Sequence, residues 1–347
     1  MEKTSTLREI LHKASNILIV VHTHPDGDAL GSGAAMLIYL RERMGKKADL
    51  LLPDSAPEYL GFIAEGVGIT DAAVEPQRAL ELIDGADLII IQDLNQLHRT
   101  EQLAAPLSES KAAKVLIDHH MFPDAGQFSL IFSEPERSST CELLYYILKD
   151  IEGGSISGIP ARSLYALMAG MTTDTNNFAN SVTPGTLQMA AELLQAGVDR
   201  DAILDNLYRK DRPQRLAAFA DMISSHLVIL PSGISYMIMT EDMHDAYGLK
   251  EGETESLVNV PLTLAQVRMS IFLREENGLF RVSIRSKRGL SANFMARTYF
   301  HGGGHELAAG GKLRWPDDIP EKSAAAACLE EIAARFLRNH TSELKNL

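Results

Sequence analysis

This sequence predicts an α/β fold: a parallel sheet with helices on both faces, joined by a helical connector to a smaller α+β domain. Three observations carry that expectation. Unbroken aliphatic runs at 17–21, 88–91 and 115–117 read as short strands buried on both faces, the character of a parallel sheet. Helical stretches alternate with these runs through residues 1–200, which implies crossover connections. Beyond residue 228 the pattern turns to period-two strands with few helices between them, a different architecture.

Taken in order, strands are expected at 17–23, 48–52, 88–92 and 115–118, and helices at 29–44, 140–150, 162–171 and 186–196. Gly197 is a plausible stop for the last of these. Residues 201–228, with Arg209-Lys210-Asp211-Arg212-Pro213 among them, read as a charged helical connector between domains 1–200 and 229–347. Strands follow at 234–240, 267–274 and 279–285, and Glu276-Asn277-Gly278 is the turn that makes a hairpin of the last two. An amphipathic helix over about 321–338 would cover this second sheet.

At 347 residues, with 45% hydrophobic and 23% charged content, the chain is large enough to bury two cores. Its net charge of −13 repels long polyanions, which need many basic contacts, so long nucleic acid is a poor partner. Short anions held by a few local cations remain compatible. The apolar run 17–21 is far shorter than the ~20 residues of a membrane span, so no membrane partner is expected. Two cysteines without paired spacing, Cys141 and Cys328, fit a reducing, cytoplasmic compartment.

The chemistry-bearing residues cluster at strand ends. After the run 17–21 the chain reads His22-Thr23-His24-Pro25-Asp26-Gly27-Asp28, and a Pro-Asp-Gly turn there lets His22, Asp26 and Asp28 converge. The run 88–91 leads to Asp93, and 115–117 to Asp118-His119-His120. In open α/β sheets that edge is where ligands bind. Asp174, after a helical stretch, adds another acid. Four carboxylates, Asp26, Asp28, Asp93 and Asp174, would repel in one pocket unless matched by two divalent ions. His22 and His119 complete a hard, oxygen-rich set that suits Mn²⁺ or Mg²⁺ better than a structural zinc. His24 reads as a turn residue outside this set, and His98 and Arg99 are left unassigned.

This constellation resembles the DHH phosphoesterase superfamily, named for the triplet seen here as Asp118-His119-His120. Ser283-Ile284-Arg285-Ser286, Asn293 and Gly302-Gly303-Gly304-His305 look like the substrate-binding motifs of its associated C-terminal domain. The stand-alone nano-RNase and pAp phosphatase group is the most similar. The resemblance implies two divalent ions (Mn²⁺, with Mg²⁺ or Co²⁺ as substitutes) held by His22, Asp26, Asp28, Asp93, His119 and Asp174, with Asp93 and Asp174 bridging. It implies that His120 touches phosphate and can donate a proton, while Asp118 orients a neighbouring imidazole. Arg285, Ser286, Gly302, Gly303, Gly304 and His305 would hold substrate, with Arg285 and His305 near the chemistry. A helix beginning near Glu306 would aim its positive end at a terminal phosphate, and the active-site cleft would lie between the domains.

The implied activity is hydrolysis of short oligoribonucleotides to 5′-mononucleotides, or of 3′-phosphoadenosine 5′-phosphate. A cyclic di-AMP or pApA phosphodiesterase is the alternative. A manganese pyrophosphatase and a non-catalytic nucleotide sensor stand further off. A homodimer is expected only as the common state of soluble enzymes. Two departures from the family pattern stand out: His301 takes the place of a first glycine before Gly302, and Asn176 that of a glycine after Asp174.

Overall fold

The computed structural model describes residues 2–250 and 252–344. These form two compact units, 1–210 and 211–347, each with its own core.

The first unit opens with α1 (Glu2–Lys13), β1 (Asn16–Val20) and α2 (Gly27–Ile38), then β2 (Lys47–Leu52), β3 (Ile69–Asp71), α3 (Pro76–Gly85) and β4 (Leu88–Gln92). There follow α4 (Ala104–Glu109), β5 (Ala113–Asp118), β6 (Leu130–Ser133), α5 (Thr140–Ile151), α6 (Ala161–Asp174), α7 (Pro184–Gln195) and α8 (Arg200–Tyr208). The six strands lie in the order β3-β2-β1-β4-β5-β6, and every pairing is parallel. Alternate strand residues feed opposite faces: Ile17, Ile19, Leu88 and Ile90 join one core with α2, α5 and α6, and Leu18, Val20, Ile89 and Ile91 join another with α3 and α4. The strand order reverses between β1 and β4, and such a switch point opens a crevice at the strands' carboxyl ends.

Helix α2 is lined with small residues because it passes very close to α6. A Cβ on Gly31 would stand 2.8 Å from the Ala166 carbonyl oxygen, and one on Gly170 would stand 2.9 Å from that of Gly27. Only glycine permits this approach, which brings the start of α2, bearing Asp28, against the end of α6, bearing Asp174.

The second unit comprises α9 (Pro213–Ser225), β7 (Val228–Ile229), β8 (Ile234–Met239), α10 (Glu241–Ala246), β9 (Met269–Glu276), β10 (Leu279–Ser286), α11 (Ala292–Tyr299), β11 (Gly303–Gly304), β12 (Ala308–Arg314) and α12 (Ala325–Leu344). Its sheet runs β11-β12-β10-β9-β8-β7, antiparallel except for β8 on β9. The expected hairpin is present: Glu276 pairs with Leu279, and Asn277 and Gly278 take φ of 50° and 77°, as a two-residue primed turn requires.

The helix expected near Glu306 is not formed. Residues 308–314 are β12, paired along its length with β10 from Arg285 to Leu279. Gly310 and Gly311 weaken any helix there, and their missing side chains let the preceding glycine loop lie directly on the strand: a Cβ on Gly302 would meet the Gly310 carbonyl oxygen at 1.9 Å. Sequence patterning also passed over α1, β3, α3 and β6, of which β3 and β6 are only three and four residues long. Among the described residues no helix is long and apolar enough to cross a membrane.

Candidate metal centre

His22 follows β1, and its Nδ1 lies 2.7 Å from the Thr23 carbonyl oxygen. Donating there fixes the tautomer that leaves Nε2 free to bind a cation. Nε2 faces Asp93 Oδ2 at 3.3 Å and Asp26 Oδ1 at 3.9 Å. Asp26 is the N-cap of α2, where its Oδ1 also accepts from the amides of Asp28 and Ala29 at 3.0 Å each. The expected Pro-Asp-Gly turn is thus the entry to a helix, and capping sets the Asp26 rotamer.

Asp28 lies in the first turn of α2, 1% exposed, and is gripped by the start of α5. The Thr140 amide donates to Oδ2 at 2.6 Å and the Cys141 amide to Oδ1 at 2.9 Å, a helix N-terminus placed against a carboxylate. Thr140 Oγ1 donates to Asp93 Oδ1 at 2.9 Å. Asp93 itself has a φ of 60°, the left-handed region that is costly for a non-glycine residue and typical of functional sites.

His119 ends the arc. Its Nδ1 is 3.3 Å from the Arg137 carbonyl oxygen, and its Nε2 lies 3.5 Å from Asp174 Oδ2, 3.7 Å from Asp93 Oδ1 and 3.9 Å from Asp28 Oδ2. Within this unit the potential ligands fall into Asp93–Asp118–His120 and, on either side of Asp93, two further groups, His22–Asp26–Asp93 and Asp28–His119–Asp174. Asp93 turns one oxygen to each of these two. Arg137 is held by Glu134 and the fully buried Glu142, and Glu142 also receives Ser138 and Thr186.

Charge confirms that this donor set fits cations. Asp28 and Asp93 make no ion pair with a lysine or arginine among the described residues. Without a metal, such a cluster is balanced by protons on a carboxylate or on the imidazoles beside it. Burial, with Asp93 and Asp174 adding to it, pushes the Asp28 carboxyl well above the usual range. Burial opposes ionisation of Asp93 too, but hydrogen bonding to His22 and the charges of His120, His22 and His119 hold it below that range. Burial also opposes a proton on His119, yet Asp174, Asp28, Asp93 and Asp118 outweigh it and push the imidazole up to about 9.

His120, half-buried beside this centre, directs Nδ1 to Asp118 Oδ1 at 2.7 Å. The other oxygen of Asp118 is buried and finds no hydrogen-bond partner among the described residues. His24 is tied to Asp54 by its amide at 2.6 Å and by Nδ1 at 3.1 Å, in keeping with a turn role. In the second unit Arg285 Nη1 donates to the Ile284 carbonyl oxygen, Ser286 is buried with its hydroxyl on the Leu290 carbonyl oxygen at 2.7 Å, and the His305 amide donates to Ala308. Asn293 hydrogen-bonds the Gly304 carbonyl oxygen. His301 and Asn176, the two departures, have φ of 50° and 46°. Both occupy backbone that glycine adopts freely, and His301 pairs with Asp318 at 2.8 Å.

Sequence reading missed Thr23, Thr140 and Arg137, which hydrogen-bond residues of the centre, and Glu142, which holds Arg137. Only the Ser138-Ser139-Thr140 run before an apolar helix carries a signal, that of an N-cap.

A doubly wound unit with paired His/Asp groups at its switch point, followed by a mixed-sheet unit with a glycine loop, defines the class. The chain belongs to the DHH family: the DHH family N-terminal domain matches residues 16–171, and the DHHA1 domain matches residues 234–331. Over 315 residues it is 27% identical to the bifunctional oligoribonuclease and PAP phosphatase NrnA of Bacillus subtilis, covering 90% of this chain and 93% of that one. NrnA of Thermus thermophilus is 28% identical over 320 residues, 91% and 90% of the two chains. An exopolyphosphatase-related protein from Bacteroides fragilis has the same fold throughout, with a TM-score of 0.89, 28% identity and 98% of each chain covered.

Proposed function

We propose that the protein is a dinuclear-metal phosphoesterase that hydrolyses short oligoribonucleotides to 5′-mononucleotides and dephosphorylates 3′-phosphoadenosine 5′-phosphate. The observation that carries this reading is Asp93, one oxygen toward His22 and the other toward His119, as a bridging ligand would be. His22, Asp26 and Asp93 would hold one ion, and Asp28, Asp93, His119 and Asp174 the other. When bound, two divalent ions, Mn²⁺ first, supply Lewis acidity to water and to the phosphoryl group.

The chain's own residues do the rest. In the reaction water adds to phosphorus, the P–O bond to the departing nucleoside or phosphate-bearing oxygen breaks, and that oxygen takes a proton. His120 is the group proposed at the phosphate, its ring aimed by Asp118 so that Nε2 is the working nitrogen. Arg285 and His305, with the Gly302-Gly303-Gly304 loop, are proposed to contact substrate. Ser286 is proposed to shape that site through its bond to Leu290.

The test is turnover of pAp, pApA, cyclic di-AMP, pyrophosphate and RNAs from dinucleotides to about twenty nucleotides by the full chain with Mn²⁺. Hydrolysis of pAp and the shortest RNAs, abolished in Asp93→Ala, is expected. Equal rates for wild type and Asp93→Ala on every compound would remove the assigned centre, and turnover of cyclic di-AMP alone would move the assignment to the cyclic dinucleotide.

A further inference from the structure

Arg99 lies on the 3-10 segment Leu97–Leu103 that follows β4, and no motif assigns it a role. Its main chain is already engaged. The Arg99 carbonyl oxygen accepts from the amide and the hydroxyl of Thr23, both at 2.9 Å, and the Thr23 carbonyl oxygen in turn faces His22 Nδ1. Its side chain does something separate. The half-buried guanidinium places Nη1 3.3 Å from His120 Nε2 and 3.4 Å from the Asp93 carbonyl oxygen. Among the described residues it forms no ion pair with a carboxylate, although the centre beside it is rich in aspartates.

A guanidinium is charged at every working pH and favours bidentate, charge-assisted bonds to phosphate oxygens. The imidazole it faces is turned so that Nδ1 meets Asp118, which leaves Nε2 pointing to Arg99. Two nitrogens 3.3 Å apart, one on each ring or fork, can both donate to a single oxyanion oxygen. With no anion between them, only one can donate and the other must accept. Such a pair next to the two ligand groups is built to receive an anion rather than to brace the fold, since a bracing arginine would be paired to a carboxylate.

We propose that Arg99 is a substrate-contacting residue that donates from its guanidinium to a non-bridging oxygen of the scissile phosphate, alongside His120. The phosphate ester as ligand rests on the phosphoesterase reading above; the anion site rests on the Arg99–His120 geometry alone.

Truncation to alanine keeps the backbone bonds to Thr23, so Arg99→Ala is expected to fold. Titration of inorganic phosphate into the Mn²⁺-loaded full chain tests the anion site without turnover. Arg99→Ala should weaken phosphate binding about tenfold or more, the worth of one charge-assisted hydrogen bond, and Arg99→Lys should recover part of it. Mn²⁺ affinity should stay within about threefold of wild type, because Arg99 touches no proposed ligand side chain. Turnover of pAp by Arg99→Ala should fall and be partly restored by added guanidinium ion. The exposed Arg78→Ala serves as the silent control.

Phosphate affinity unchanged in Arg99→Ala, or no phosphate bound by the loaded wild type, overturns the proposal. So does a loss of Mn²⁺ affinity as large as the loss of turnover, which would make Arg99 a brace of the metal centre. If the wild type binds phosphate through Arg99 yet hydrolyses no ester, the anion site stands and the phosphoesterase reading falls.

Discussion

A proton and a metal ion compete for Nε2 of His119. Its aspartate neighbours push the imidazole up to about 9, so below that pH a metal must displace a proton to bind. Mn²⁺ affinity is therefore expected to rise with pH by up to about tenfold per unit, levelling off near pH 9. Isothermal titration across pH 6.5 to 9.5 checks this, and a flat profile would contradict it. The ion-free protein should behave oppositely. A histidine whose folded value lies above its unfolded value of about 6.5 contributes stability that is complete below that value and lost as pH rises through about 9. At the same scale, Asn176 and His301 show why single departures from a family pattern can be tolerated. Asn176 takes a φ of 46°, which Asn accepts more readily than most residues. Asn176→Gly is expected to leave denaturant stability within about 1 kcal/mol, and Asn176→Val to lower it by about 1–2 kcal/mol. Equal stability of the two variants would refute the account.

The elements matter because five of them, β1, α2, β4, β5 and α6, must deliver side chains to one point. Helices α2 and α6 meet over Gly27, Gly31 and Gly170, and their closeness sets Asp28 beside Asp174. Gly31→Ala would drive a methyl group against the Ala166 carbonyl oxygen, which cannot rotate away. A loss of about 1–3 kcal/mol is expected from overpacking, with weakened Mn²⁺ binding, whereas Gly61→Ala, with nothing within 4 Å of its added carbon, should be silent. If Gly31→Ala binds Mn²⁺ and melts like wild type, the close helix pair is not what positions the two acids. Helix α5 acts through its first turn, where Thr140 reaches both Asp28 and Asp93. Thr140→Val removes the hydroxyl bond alone and is expected to lower Mn²⁺ affinity by about tenfold, the usual effect of losing a group that orients a ligand. At this scale the sequence was readable where hydrophobic runs were strong, as at 88–91 and 115–117. It misled at Glu306, where an alanine- and glycine-rich stretch joined the sheet as β12 through pairing with β10, a partner no local signal identifies.

Across the whole molecule, the net charge of −13 sets which anions can approach. Rates per chain end are expected to fall steeply from di- to about twenty-nucleotide RNA, since longer polyanions meet more repulsion; equal rates would contradict this. Each unit has its own core, and all the proposed ligands lie in the first. Hydrogen exchange with and without Mn²⁺ should therefore show added protection around 22–31, 93, 118–120, 140–142 and 171–174 and little change over 269–286; uniform protection would argue against a centre confined to the first unit. What the sequence determined alone was the kind of chemistry: carboxylates and imidazoles placed just past aliphatic runs, because strand burial and turn residues are local properties read from adjacent positions. What only the tertiary structure decided was who meets whom. Asp93 turned to two groups, Thr140 holding two aspartates, Thr23 tied to the Arg99 carbonyl, the Arg137 carbonyl aiming His119 and Arg99 standing against His120 all join separate segments of the chain. Such contacts follow from strand order and helix crossing, which depend on the packing of the entire core and leave no periodicity in the chain.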